Sequence, residues 1–193
     1  VQGTGRSQLA QGLQTTLAYG WRYGISGSVY CAPAVSVSDG SICFTAEWGN
    51  MGSLFHLGAD GSYLWGGNLS FGGVGTKSSP ALSYADQNGT VGRIYVGGGA
   101  AGGGPSGYLY SFNNAGIMEW ARDMGDRVNS SPLVLPDGGV VAGADNGNVK
   151  AFLRDGTPIW TRVLPAPVRG PVVQVKGGII GVACGDWNIY GLN

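Results

Sequence analysis

Charge is scarce in this chain. Lys, Arg, Asp and Glu make up 11% of its 193 residues, and eleven basic side chains balance eleven acidic ones. So neutral a surface offers no attraction for a polyanion, which argues against nucleic acid or an anionic membrane as partner. Cysteine is rare too. Cys31, Cys43 and Cys184 are odd in number and include no CxxC pair, so neither a zinc site nor a disulfide framework is expected. A Cys31–Cys43 bridge stays open as an alternative. The single histidine, His56, falls on a variable position of an alternating segment and is expected to face solvent. No Ser-His-Asp set and no histidine metal cluster can be built around it. No apolar run approaches the roughly 18 residues that a membrane-spanning helix needs.

What is present is glycine, 38 residues of it, without the triplet period of collagen, together with six tryptophans and nine tyrosines. Glycine at turns, with aromatic and branched residues between, predicts many short strands. The strands recur in a fixed order, and the segment from Pro132 shows it best. Leu133–Leu135 is followed by Asp137-Gly138, then Val140–Ala144, then Val149–Leu153, then Asp155-Gly156, then a strand entered at Trp160. Asp-Gly supplies the positive φ of a tight hairpin, so consecutive strands should be antiparallel neighbours.

The same order runs from Pro33 to Trp65, with turns at Asp39-Gly40 and Asp60-Gly61. It runs again from Pro80 to Trp120, with turns at Asn88-Gly89 and Ala115-Gly116. A fourth copy opens at Pro171, turns at Gly177-Gly178 and reaches Asn193 without a tryptophan. Its third strand, Ile189–Leu192, matches Leu54–Leu57, Leu109–Phe112 and Val149–Phe152. In the first three copies the tryptophan follows that strand by eight residues. The piece absent from the fourth copy resembles the segment around Trp21, which precedes Pro33 as Trp160 precedes Pro171.

The pattern Gly-x-(Leu/Val)-(Tyr/Phe)-x-(Leu/Phe), followed by an (Asp/Ala)-Gly turn and a tryptophan, resembles the quinoprotein-like (PQQ-like) propeller repeat. That repeat occurs in quinoprotein alcohol dehydrogenases and outer-membrane assembly lipoproteins. The resemblance covers about residues 15–193. It implies an all-β propeller of four-stranded blades at about 33–70, 80–125, 132–165 and 171–193, the last completed by an N-terminal strand at 15–26. It also implies a structural role for Trp21, Trp65, Trp120 and Trp160, packed between blades, and a periplasmic or secreted setting. Such propellers usually have more blades than this chain supplies. The chain therefore closes alone, is a fragment, or pairs with a second copy in one larger ring, and the homodimer is the favoured expectation.

Candidate functional residues are those that break the repeat. Loops between second and third strands contribute Trp48, Asp145, Asp186 and Trp187, and inter-blade loops contribute Lys77, Arg127 and Arg169. In a propeller both loop sets open on one face, where basic, acidic and aromatic groups could bind a polar ligand, a peptide or a glycan. The plainer alternative is a solvated rim with weak ion pairs. No cofactor and no catalytic residue are expected. The leading expectation is a non-catalytic scaffold presenting its loop face to a protein, peptide or glycan. A quinone-dependent dehydrogenase is the alternative, which the resemblance associates with a Cys-Cys pair that this sequence lacks. A module whose main role is oligomerisation is a third.

Overall fold

A computed structural model of the chain describes residues 20–49, 51–69, 76–84, 91–99 and 106–193. Four antiparallel sheets follow one another along the chain. The first holds β1 (Ala34–Val35), β2 (Ile42–Trp48), β3 (Met51–Leu57) and β4 (Tyr63–Leu69). The second holds β5 (Ala81–Tyr84), β6 (Val91–Gly99), β7 (Gly107–Asn113) and β8 (Met118–Asp123). The third holds β9 (Leu133–Val134), β10 (Val140–Gly143), β11 (Asn148–Phe152) and β12 (Pro158–Val163). The fourth holds β13 (Val172–Gln174), β14 (Ile180–Ala183) and β15 (Ile189–Leu192). Within each sheet the strands lie in chain order, so each turn joins neighbours. Among the described residues no helix is long and apolar enough to cross a membrane.

Both faces of the middle sheets are apolar, and this stacks them. One core joins Cys43 and Leu54 of the first sheet to Ile94, Val96, Tyr110 and Phe112 of the second. The next joins Tyr95, Leu109 and Trp120 to Val140, Ala142 and Phe152. The last joins Val141, Val149 and Ala151 to Val172, Ile180 and Val182. Alternate residues of β6 and β10 thus serve opposite junctions, as the twofold period of a strand requires.

The first two junctions are each pinned by a tryptophan. The Trp65 indole N–H donates to the Asn114 carbonyl at 2.8 Å, and that of Trp120 donates to Arg154 at 3.0 Å. Trp21 does the same to Ala59 at 2.9 Å. Each ring lies on the glycine of a third-to-fourth-strand turn, Gly61, Gly116 or Gly156, all at positive φ. A register shift precedes each tryptophan of the complete sheets, between His56 and Leu57, Ser111 and Phe112, and Ala151 and Phe152. The unpaired residues are Leu64, Glu119 and Ile159. Such bulges raise local twist and re-aim a side chain, here the indole toward the next sheet.

Four expectations need correction. The fourth sheet has three strands, and no described residue of the 15–26 segment pairs with β15; residues 15–19 lie outside the described residues. Residues 20–26 lie instead against the first sheet, because Trp21 docks on that sheet's own turn at Gly61. The innermost strands touch in succession, β1 to β5 to β9 to β13, but the four sheets do not close into a ring. His56 is not solvent-facing: it is 2% exposed. His56 lies two residues from Leu54 and shares its face, which packs on the second sheet, and there it meets the edge of Trp65 at 5.2 Å. The fourth repeat is also offset from its proline. Val172, not Pro171, takes the place of Pro132, since Val173 pairs with Gly181 and Gln174 with Ile180 as Leu133 pairs with Val141 and Val134 with Val140. All three cysteines are free thiols. The turn expected at Asn88-Gly89 lies outside the described residues.

Candidate functional site

The inter-sheet loops are built alike, which fixes where their side chains go. Ser130 Oγ both donates to the Gly143 carbonyl and accepts from the Gly143 N–H, at 2.7 and 2.9 Å. Cys31 Sγ holds Thr45 in the same two-way manner, and Ser78 Oγ accepts from Gly97. Successive loops are also laced together: the Ala32 N–H donates to Ser79 Oγ and the Ser79 N–H to Ser131 Oγ, at 3.0 and 3.2 Å. With those backbones fixed, the residue before each Cys or Ser forms a row along the loop face: Tyr30, Lys77, Asn129 and, in the fourth repeat, Arg169.

The row makes two contacts. The Lys77 ammonium lies over the Tyr30 ring, 5.3 Å from its centre, a cation–π pair. Asp145 gathers the other half. Its Oδ1 accepts from Arg169 Nε at 3.1 Å and its Oδ2 from Asn129 Nδ2 at 3.1 Å. The carboxylate in turn raises the pKa of the guanidinium. Asp145 itself is fixed by its backbone N–H, which donates to the Arg127 carbonyl at 2.9 Å. The Arg127 side chain is exposed. The structure therefore brings Arg127, Asp145 and Arg169 together, leaves Lys77 at the neighbouring junction, and adds Asn129, which the sequence reading had not chosen.

The remaining candidates stand apart. Trp48 is 65% exposed at the end of β2 and lines a hollow of about 250 Å³ with Ile25, Met51 and Phe55. Asp186 accepts hydrogen bonds from the Tyr190 hydroxyl and the Asn188 N–H within its own turn. The Tyr190 bond leads in holding its carboxyl at about 2. Trp187 is 98% exposed, and among the described non-glycine residues it alone has positive φ, at 70°. Its counterpart in the third sheet is Gly147, at 85°. A bulky residue held there is strained, and such strain concentrates at binding sites.

A further hollow lies elsewhere. A cavity of about 740 Å³ opens along the inner strands, lined by Leu82, Tyr84, Leu133, Leu135, Gln174 and Lys176 among others. None of the sequence-chosen residues lines it. The openings of the repeats could have flagged it, because innermost strands must face whatever space the sheets surround. Among the described residues no three Cys, His, Asp or Glu side chains gather as a metal site would require.

No family model matches the chain and no curated protein matches it by sequence. Solved structures do. It is similar to BamB from Moraxella catarrhalis, at 20% identity and a TM-score of 0.66, over 90% of this chain and 49% of that one. It is similar to the WD40 β-propeller domain of Doa1, at 16% identity and a TM-score of 0.61, over 84% of this chain and 49% of that one. It is also similar to the computationally designed Ika4 protein, at 15% identity and a TM-score of 0.59, over 88% of this chain and 94% of that one. The likeness shows an all-β arrangement of the propeller type. The chain spans about half the length of the BamB and Doa1 chains it matches.

Proposed function

We propose that this chain is a non-catalytic propeller scaffold of the PQQ-like type, and that its loop face holds a peptide segment of a protein partner. The observation that carries the reading is the Asp145 cluster. One carboxylate ties Arg169 and Asn129, from two different inter-sheet loops, into a single polar ridge. Arg127 is exposed beside it, and Lys77 over Tyr30 continues the same row. Rigid sheets carry these loops, so a ligand meets groups already oriented, which lowers the cost of ordering on binding. The exposed indoles of Trp48 and Trp187 add the aromatic area in which binding hot spots are enriched. A peptide suits this mixture of donors, acceptors and flat apolar faces. A glycan would use the indoles and leave the cationic row idle.

A displayed library of random peptides, selected on the wild-type chain, tests this. Selected peptides should bind a Trp187→Ala/Arg127→Ala variant at least tenfold more weakly, about 1.4 kcal/mol. Peptides that bind wild type and variant equally would count against the loop face as the site.

A further inference from the structure

In each junction between consecutive sheets one third-strand position is sealed: Leu54, Leu109 and Val149 are all 0% exposed. The registers make Ile189 the fourth of this series. It pairs with Ala183 as Val149 pairs with Gly143, Leu109 with Gly97 and Leu54 with Thr45. Ile189 is nevertheless 83% exposed, with Val173 and Ala183 uncovered on the same face. The other end of the arc shows the complementary deficit. Ile42 and Phe44 of the first sheet are only half-buried, whereas their equivalents Ile94 and Val96 in the second are 0% exposed. Between that face and the leading segment lies a hollow of about 330 Å³, lined by Trp21, Tyr23, Ile42, Phe44 and Leu57 among others.

The leading segment says what belongs there. Trp21 docks on the first sheet as Trp65 docks on the second and Trp120 on the third. Ser28 bonds the Glu47 N–H as Arg127 bonds that of Asp145 and Pro167 that of Gly185. Residues 20–33 are thus placed as the last strand and outgoing loop of a preceding sheet. No strand pairs with residues 20–26 among the described residues, while β15 has no fourth strand beside it. A strand without a sheet and a sheet without that strand sit at opposite ends of one arc.

We propose that a second copy of this chain supplies both deficits. Residues 20–26 of each copy add to β15 of the other, and two four-sheet arcs close into one ring with two identical junctions. Strand addition of this kind gains main-chain hydrogen bonds and covers the unpaired edge of β15. A closed twofold assembly is also the commonest kind of oligomer. The repeat fixes the register. The tryptophan of a fourth strand lies opposite His56, Ser111 or Ala151 in the complete sheets. Trp21 of one copy therefore lies opposite Gly191 of the other, Arg22 opposite Tyr190, and Tyr23 opposite Ile189. The inference does not depend on what the loop face binds.

Light scattering behind a sizing column should give about twice the 19.7 kDa chain mass for the 193-residue protein at micromolar concentration. A single-chain mass, or a ladder of larger open assemblies, overturns the proposal. Cysteine pairs read the register in a Cys31→Ser background. A mixture of Tyr23→Cys and Ile189→Cys chains should give a disulfide-linked dimer, whereas Arg22→Cys with Ile189→Cys should not, because those side chains point to opposite faces. If the Tyr23→Cys/Ile189→Cys double variant cross-links within one chain, the four sheets close on themselves and the proposal fails. Ile189→Lys disturbs no packed contact within a single copy. It should yield a folded monomer with an unchanged circular dichroism spectrum; a dimer that survives this change overturns the strand exchange.

Discussion

Trp120 lies flat on Gly156: a Cβ built on that glycine would meet the indole Cδ2 at 2.8 Å, and the residue holds φ at 83°. The glycine is required twice over, for its backbone conformation and for the space above it. Gly156→Ala should destabilise the fold by roughly 2–4 kcal/mol, from left-handed strain and overpacking together. Trp120→Ala should cost about 3–5 kcal/mol. The two losses should be well below additive in the double variant, because both break one contact. Urea unfolding of the four proteins checks the cycle, and strict additivity would mean that the contact carries little.

Trp187 presents the reverse case, a side chain tolerated where the repeat elsewhere keeps glycine. Trp187→Gly should stabilise the chain by about 1 kcal/mol by removing left-handed strain, and should weaken the binding of any loop-face peptide. Thermal unfolding and peptide titration of the same variant read the two effects. A variant less stable than wild type would show that the indole is packed rather than presented.

His56 gives a pH dependence with a defined sign. Burial holds the imidazole below the ordinary histidine value, with the nearby Asp39 charge pulling the other way. Both ring nitrogens are buried without a hydrogen-bond partner. The unfolded chain therefore takes up the proton more readily than the folded one. Stability should be undiminished above the unfolded value of about 6.5 and fall as the pH drops through it, levelling off only below the folded pKa. Urea midpoints between pH 7.5 and 5 should fall for wild type and stay nearly level for His56→Leu. An equal fall in both proteins would place the titrating group elsewhere.

The cysteines should differ in reactivity. Burial pushes the Cys43 thiol up to about 12, so it should resist a thiol reagent until the chain unfolds. Cys31 is partly exposed and takes the place held by Ser78 and Ser130 in the other loops. Cys31→Ser should accordingly change stability by less than about 0.5 kcal/mol. Timed labelling, read by mass spectrometry with and without denaturant, separates the sites.

The strand order around Asp137-Gly138 and Asp155-Gly156 was legible because each Asp-Gly pair carries its own physics: a local hydrogen bond and a positive φ. Asp137 Oδ1 accepts from Gly139 N–H and Asp155 Oδ1 from Thr157 N–H. The burial of His56 was not legible, because a polar side chain two residues from Leu54 interrupts the apolar alternation although it shares that residue's covered face. The bulges at Leu64, Glu119 and Ile159 leave no local mark, since any residue can be the unpaired one. Asn129 was passed over because its partner, Asp145, is 16 positions away and meets it only when two loops are folded together. The offset at Pro171 was not legible because a proline can stand on either side of a strand's first residue, and only the backbone pairing of Val172 with Val182 fixes the start.

The stacking of sheets solely against their neighbours carries a consequence for size. Energy in such a stack resides in the interfaces between units and not in any one centre. A repeat can then be gained or lost as a whole, for the cost or benefit of a single interface, while the remaining units keep their environment. Nothing in one unit counts the others. The tally follows from the angle at which each packed interface turns one unit against the next, since that angle decides after how many steps a last unit would meet the first.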